Sequence, residues 1–222
     1  MSGDEIREVT ILPVGLAGNL RIPPTAHAVI LFAHGSGSSR FSPRNRAVAD
    51  ALNKEGFATL LFDLLTEDEE ADRANVFDIP LLADRLVDAV RFLDRDPWSR
   101  SVPLGLFGAS TGAAAALVAA AMTGDRVGAV VSRGGRPDLA DTALSRVRTP
   151  TLLIVGGSDS VVIELNEQAL AQLQGPKALE IVPGATHLFP EPGALDAVIN
   201  LAASWFKRYL AAAPAARNAR RA

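Results

Sequence analysis

The run Gly108-Ala109-Ser110-Thr111-Gly112 sets a serine between two glycines, after an apolar stretch at residues 102–107 and before an alanine-rich one at 111–122. A serine on a tight strand-to-helix turn has its oxygen lifted above the sheet, with the first amides of the helix beside it. Its hydroxyl is a weak nucleophile until a neighbouring base takes its proton. His187, which closes Pro183-Gly184-Ala185-Thr186-His187, is the candidate base. Imidazole ordinarily titrates near neutrality, so it can accept that proton and return it to a leaving group. Asp159, at the end of Val155-Gly156-Gly157-Ser158-Asp159, is the candidate carboxylate that fixes the imidazole tautomer. Taken alone, the serine pattern also fits a glycine-rich turn without chemistry. Asp159 or Ser160 could equally cap the helix that follows. Three catalytic types in the order Ser, Asp, His, each just past a predicted strand, point to one site at the carboxyl edge of a sheet.

A fourth run, His34-Gly35-Ser36-Gly37-Ser38-Ser39, follows the apolar stretch Ala28–Ala33. A glycine-rich loop there can bring a backbone amide over the nucleophile. The N–H groups of Ser36 and Thr111 are therefore assigned to an oxyanion hole. His34 is expected to brace this loop. Arg40 and Arg44 come next, as surface charge or as cations able to meet an anionic substrate group. Arg133, after the stretch 127–132, is either a pocket residue or a brace for its own loop. Leu188, beside His187, completes the candidate substrate pocket with Arg40 and Arg133.

The elements that must position these residues alternate. Residues 6–12 and 19–22 read as early antiparallel strands. Buried strands are predicted at 28–33, 57–63, 102–107, 127–132, 151–155 and 179–182. Helices are predicted at 43–55, 80–93, 111–122, 161–173 and 195–210, with Leu82, Leu86, Val90 and Leu93 forming one apolar stripe. This alternation implies βαβ units, hence an α/β fold whose mostly parallel twisted sheet carries helices on both faces. Residues 1–210 are expected to form a single unit and 211–222 a disordered tail. The acidic stretch 64–76, with Glu67, Asp68, Glu69, Glu70 and Asp72, reads as a solvated loop.

Composition narrows the function. The 222 residues are 48% apolar and 21% charged, as expected of a globular chain. A net charge of −3 argues against a nucleic-acid binder, which needs a cationic face. With no cysteine and three scattered histidines, no metal site is expected. The longest apolar stretch, near residues 113–122, is far shorter than the roughly 20 residues a membrane span needs. The acidic start, Met1-Ser2-Gly3-Asp4-Glu5, lacks a signal-like apolar run, so a cytoplasmic protein is expected.

With these pieces together, the chain resembles the α/β-hydrolase superfamily, and within it the dienelactone-hydrolase-like group, from about Ile6 to Leu210. His34-Gly35, the Ser110 pentapeptide, Gly156-Gly157-Ser158-Asp159 and Gly184-Ala185-Thr186-His187 carry the resemblance. It implies an α/β-hydrolase fold without a lid domain, because the stretch 134–149, where many relatives insert one, is short. It also implies a cofactor-free enzyme acting on a small-molecule ester. Dienelactone hydrolases carry cysteine at the nucleophile position; serine here favours a general carboxylic ester. The chain also resembles the hydrolase portion that some bacterial proteins carry fused to a phosphoribosyltransferase, with no such second domain expected in these residues. Other outcomes on the same residues are acyl transfer to peroxide or another acceptor, or a non-catalytic binding protein. A dinucleotide-binding reading of Gly35-Ser36-Gly37 with Asp63 fails at its third glycine position, which is Arg40, and leaves the triad unexplained.

Overall fold

The computed structural model describes residues 3–211. In chain order the strands are β1 (Glu5–Ile11), β2 (Leu16–Ile22), β3 (Ala28–Ala33), β4 (Phe57–Phe62), β5 (Leu104–Ala109), β6 (Val127–Arg133), β7 (Thr151–Gly156) and β8 (Lys177–Val182). The helices are α1 (Pro43–Lys54), α2 (Glu67–Glu70), α3 (Arg73–Val76), α4 (Ile79–Arg95), α5 (Pro97–Ser101), α6 (Thr111–Thr123), α7 (Ser160–Gln172) and α8 (Ala194–Tyr209). One sheet runs β1-β2-β4-β3-β5-β6-β7-β8. β1 and β2 join antiparallel, as does β2 to β4, and all other pairs are parallel. The expected α/β-hydrolase architecture is therefore present.

Local chemistry explains the elements. Every residue of β3, β4, β5 and β7 is buried, as a sheet covered on both faces requires. α1 begins with Pro43 under a Ser42 cap, whose hydroxyl accepts from Asn45 N–H at 3.4 Å. The Asp78 carboxylate accepts from Leu81 N–H at 2.9 Å to start α4. α4 and α6 cover one face, burying Leu82, Leu86 and Ala115 against Leu31, Leu60 and Leu106. α1 and α8 cover the other, burying Val48, Val198 and Phe206 against Phe32, Phe107 and Val131. Phe206 fits because β5 has Gly105 there: a Cβ would lie 2.8 Å from its ring.

Two expectations change. β5 starts two residues later than predicted and runs through Gly108 and Ala109, which pair with Ser132 and Arg133 on β6. The strand thus ends directly at Ser110. Glu67, Asp68, Glu70 and Asp72 are exposed as expected, but the acidic stretch 64–76 is largely helical and not a loop. It forms α2 and α3, with a reciprocal Thr66–Glu69 capping box and a Glu69–Arg85 ion pair at 2.6 Å. The stretch 134–149, expected to be short and without a lid, holds only a 3₁₀ segment, Pro137–Arg146, packed on the core through Ala140 and Leu144. The predicted tail lies outside the described residues, apart from Ala211.

Candidate active site

Parallel pairing gathers the predicted residues. Ala33 pairs with Gly108, Ala109 with Arg133 and Gly156 with Val182, so the strand ends that carry them lie along one edge of the sheet. Ser110 sits at φ 52°, ψ −121°, a positive φ that a non-glycine residue rarely adopts. Its N–H donates to Arg133 O at 3.3 Å, and its C=O accepts from Ala113 N–H and Arg136 N–H, each at 3.1 Å. These three bonds over-determine the strained turn. The flanking glycines are needed for contact rather than flexibility. A Cβ on Gly112 would stand 2.4 Å from the carbonyl oxygens of Ala33 and His34, and one on Gly108 would stand 2.4 Å from Ala113 Cα.

Asp159 and His187 come from neighbouring loops tied together by their main chains. Gly157 N–H donates to Val182 O at 2.8 Å, and Ser158 N–H to Ala185 O at 2.9 Å. Gly156 lies so close to this strand that a Cβ would meet Ala185 O at 2.4 Å. His187 Nδ1 lies 2.7 Å from Asp159 Oδ2. With Nδ1–H donating to the carboxylate, Nε2 is left as the proton acceptor. Asp159 holds the N-cap position of α7, yet its side chain caps nothing. Its carboxylate is turned to the histidine instead. His187 comes close to the end of β6, the neighbour of the strand that leads to Ser110, at Gly134, where a Cβ would lie 2.9 Å from His187 O and 3.7 Å from its ring Cε1. Among the described residues no hydrogen bond joins Ser110 Oγ to His187. Catalytic hydrogen bonds often shorten only once substrate is bound.

Thr111 and Gly112 begin α6, so their N–H groups have no intrahelical acceptor. Ser36 N–H, by contrast, already donates to Thr111 Oγ1 at 3.0 Å. The predicted oxyanion donors thus sit together, but one of them has a resident partner. His34 braces its loop as expected: Nδ1 lies 3.0 Å from Gly35 O, and Nε2 accepts from Leu64 N–H at 3.1 Å. These contacts require the neutral ring protonated on Nδ1. Burial pushes the His34 pKa down, outweighing the Gly35 carbonyl and the nearby acids Asp63 and Glu70.

The candidate pocket residues separate. Leu188 is 46% exposed beside His187. Arg40 is not free for substrate: its guanidinium pairs with Asp63, its N–H donates to the same carboxylate at 2.8 Å, and it lies over the Phe41 ring. The sequence carried a hint of this, since Asp63 ends a strand at the same edge. Arg133 is buried on the α1 side of β6. Burial, with the like charge of Arg44 adding, lowers its pKa to about 10, so it stays charged at neutral pH. Gly134 and Gly156 admit the histidine loop with their bare backbones, a packing role that the sequence does not reveal because nothing in their local pattern marks a long-range contact.

Among the described residues, no three side chains of His, Cys, Asp or Glu gather as a metal site, and no helix is long and apolar enough to cross a membrane. The profile of the dienelactone hydrolase family matches residues 16–213. A dienelactone hydrolase from Anabaena variabilis is 57% identical, with a TM-score of 0.88 over 93% of this chain and 98% of its own. Est1E from Butyrivibrio proteoclasticus shares the fold at 18% identity, with a TM-score of 0.75 over 95% of this chain and all of its own. A Mycobacterium tuberculosis protein provisionally named a phosphoribosyl transferase is 58% identical over 207 residues. That match takes in 93% of this chain and 47% of the relative, so the chain spans about half the relative's length. Sheet order, strained serine and the extent of these matches agree: the chain belongs to the dienelactone hydrolase family of α/β hydrolases.

Proposed function

We propose that the protein is a serine hydrolase that cleaves small carboxylic esters through an acyl-serine intermediate. The observation that carries this reading is the 2.7 Å Asp159–His187 pair, held on tied loops at the same sheet edge as the strained Ser110. Ser110 Oγ attacks the ester carbonyl carbon while His187 Nε2 takes its proton. The tetrahedral oxyanion is met by Thr111 N–H and by Ser36 N–H, the latter leaving Thr111 Oγ1. The C–O bond to the leaving group breaks as His187 gives that alcohol its proton. Water, deprotonated by His187, then attacks the acyl carbon and releases Ser110 with the acid product. Asp159 holds the tautomer and stabilises the imidazolium.

Serine at the position where dienelactone hydrolases carry cysteine supports an ordinary ester over a dienelactone. Exposed Leu188 and Ser36 support an open cleft suited to short acyl groups. The phosphoribosyl transfer in the mycobacterial relative's name is not carried over to this chain, which spans 47% of that protein. Turnover of 4-nitrophenyl acetate through hexanoate by the wild type and Ser110→Ala, with mass spectrometry after fluorophosphonate treatment, tests the reading. Turnover that vanishes with the substitution, and an adduct on Ser110, are expected. Absence of both on folded protein would make a non-catalytic binding protein the better account.

A further inference from the structure

Arg133 carries a guanidinium and is only 6% exposed, at the end of β6 beside the Ser110 turn. Its main chain accepts the Ser110 N–H, and the next residue, Gly134, lies against His187 O. Its side chain points toward the start of α1. There Nη2 reaches Asn45 Oδ1 at 3.5 Å, a long contact. Its Nε and Nη1 are buried without a partner. Arg44, half-buried on the first turn of α1, also has a buried, unpartnered Nε, and its charge acts on Arg133. Among the described residues neither arginine forms an ion pair, although Arg40, four residues away from Arg44, is matched by Asp63.

Burying a guanidinium without an acceptor is costly, and a second like charge beside it adds repulsion. The positive end of the α1 dipole has the same sign. Planar guanidinium forks with open N–H groups suit two-oxygen anions, and such charge-assisted bonds are strong in a shielded site. Half-exposed Arg44 gives solvent access.

We propose that Arg133 and Arg44 form a binding site for a small oxyanion, a carboxylate or phosphate group, at the start of α1 beside the Ser110 turn. The group is either part of the substrate or a free anion, and the site exists whether or not Ser110 is catalytic.

Calorimetric titration of the full chain carrying Ser110→Ala tests this, because esters then persist. The probes are inorganic phosphate, monomethyl succinate and dimethyl succinate at fixed ionic strength. Monomethyl succinate binding at least tenfold tighter than the dimethyl ester establishes a substrate-borne anion. Phosphate binding, with the two esters alike, establishes a site for free anions. In either case Arg133→Met and Arg44→Gln should each weaken binding at least tenfold. Arg133→Met should fold, since an apolar side chain replaces an unpaired buried charge. Should it not, Arg44→Gln, on the partly exposed helix start, decides alone. Failure of phosphate to bind, with no preference for the monoester, overturns the proposal. So does binding that survives the substitutions.

Discussion

Replacing Asp159 by asparagine tests the site most sharply, because the structure separates the two roles an aspartate could hold there. Its side chain caps nothing on α7, so the change removes no helix cap. What it removes is the charged acceptor 2.7 Å from His187 Nδ1, on a carboxylate only 18% exposed. An asparagine amide can donate to Nδ1, which moves the ring proton to Nε2, where it blocks acceptance of the serine proton. In other Ser-His-Asp sites this exchange lowers kcat about ten-thousand-fold. That corresponds to about 5.4 kcal/mol of transition-state stabilisation. Loss of one hydrogen bond in a partly solvated pair should lower folding stability by only about 1 kcal/mol. The assay is kcat on 4-nitrophenyl acetate, with urea denaturation of the same preparations. A kcat within tenfold of wild type would refute the orienting role. A stability loss above about 3 kcal/mol would show that the pair is chiefly structural.

Gly112→Ala should prevent folding or destabilise by about 3 kcal/mol or more, since its Cβ would stand 2.4 Å from two carbonyl oxygens; a thermal midpoint near wild type would contradict that packing. Phe206→Ala should cost about 3–5 kcal/mol in urea denaturation, because the ring is fully buried against Gly105. His34 has its folded-state pKa held below the ordinary 6.5, so below that pH the unfolded chain takes up a proton that the folded chain refuses. Stability should therefore fall as pH drops from 7 to 5, by up to about 1.4 kcal/mol per pH unit from this group, and His34→Gln should flatten that slope. An unchanged slope in the variant would remove His34 from the account.

The candidate set Ser110, Asp159 and His187 was legible because the proposed chemistry needs these residue types and each follows an apolar strand-like run. Sheet class was legible from the alternation of apolar runs with helical periodicity. Other features are set by partners distant in sequence. Residues 64–76 look solvated by charge count, but Glu69 is held by Thr66 and by Arg85, sixteen residues on. Arg40 looked available for substrate because Asp63, although it follows a strand at the same edge, lies twenty-three residues on. The end of β5 was misplaced because Gly108 and Ala109 are weak strand formers, and their pairing with β6 overrides propensity. The state of the Ser36 amide was equally hidden: it depends on one hydroxyl rotamer seventy-five positions away.

That last contact changes how the proposed oxyanion hole would discriminate. An amide facing an empty hole would gain from any acceptor, including the carbonyl of a resting substrate. Here the Ser36 amide already has a neutral oxygen, Thr111 Oγ1, at 3.0 Å. A neutral ester carbonyl offers it only an even exchange. A developing alkoxide offers more, since bonds to ionised acceptors are roughly twice as strong as neutral ones. The threonine hydroxyl thus sets a threshold that the ground state does not cross and the transition state does. Interaction energy is kept out of substrate affinity and appears in the chemical step, the condition for raising kcat rather than merely lowering KM.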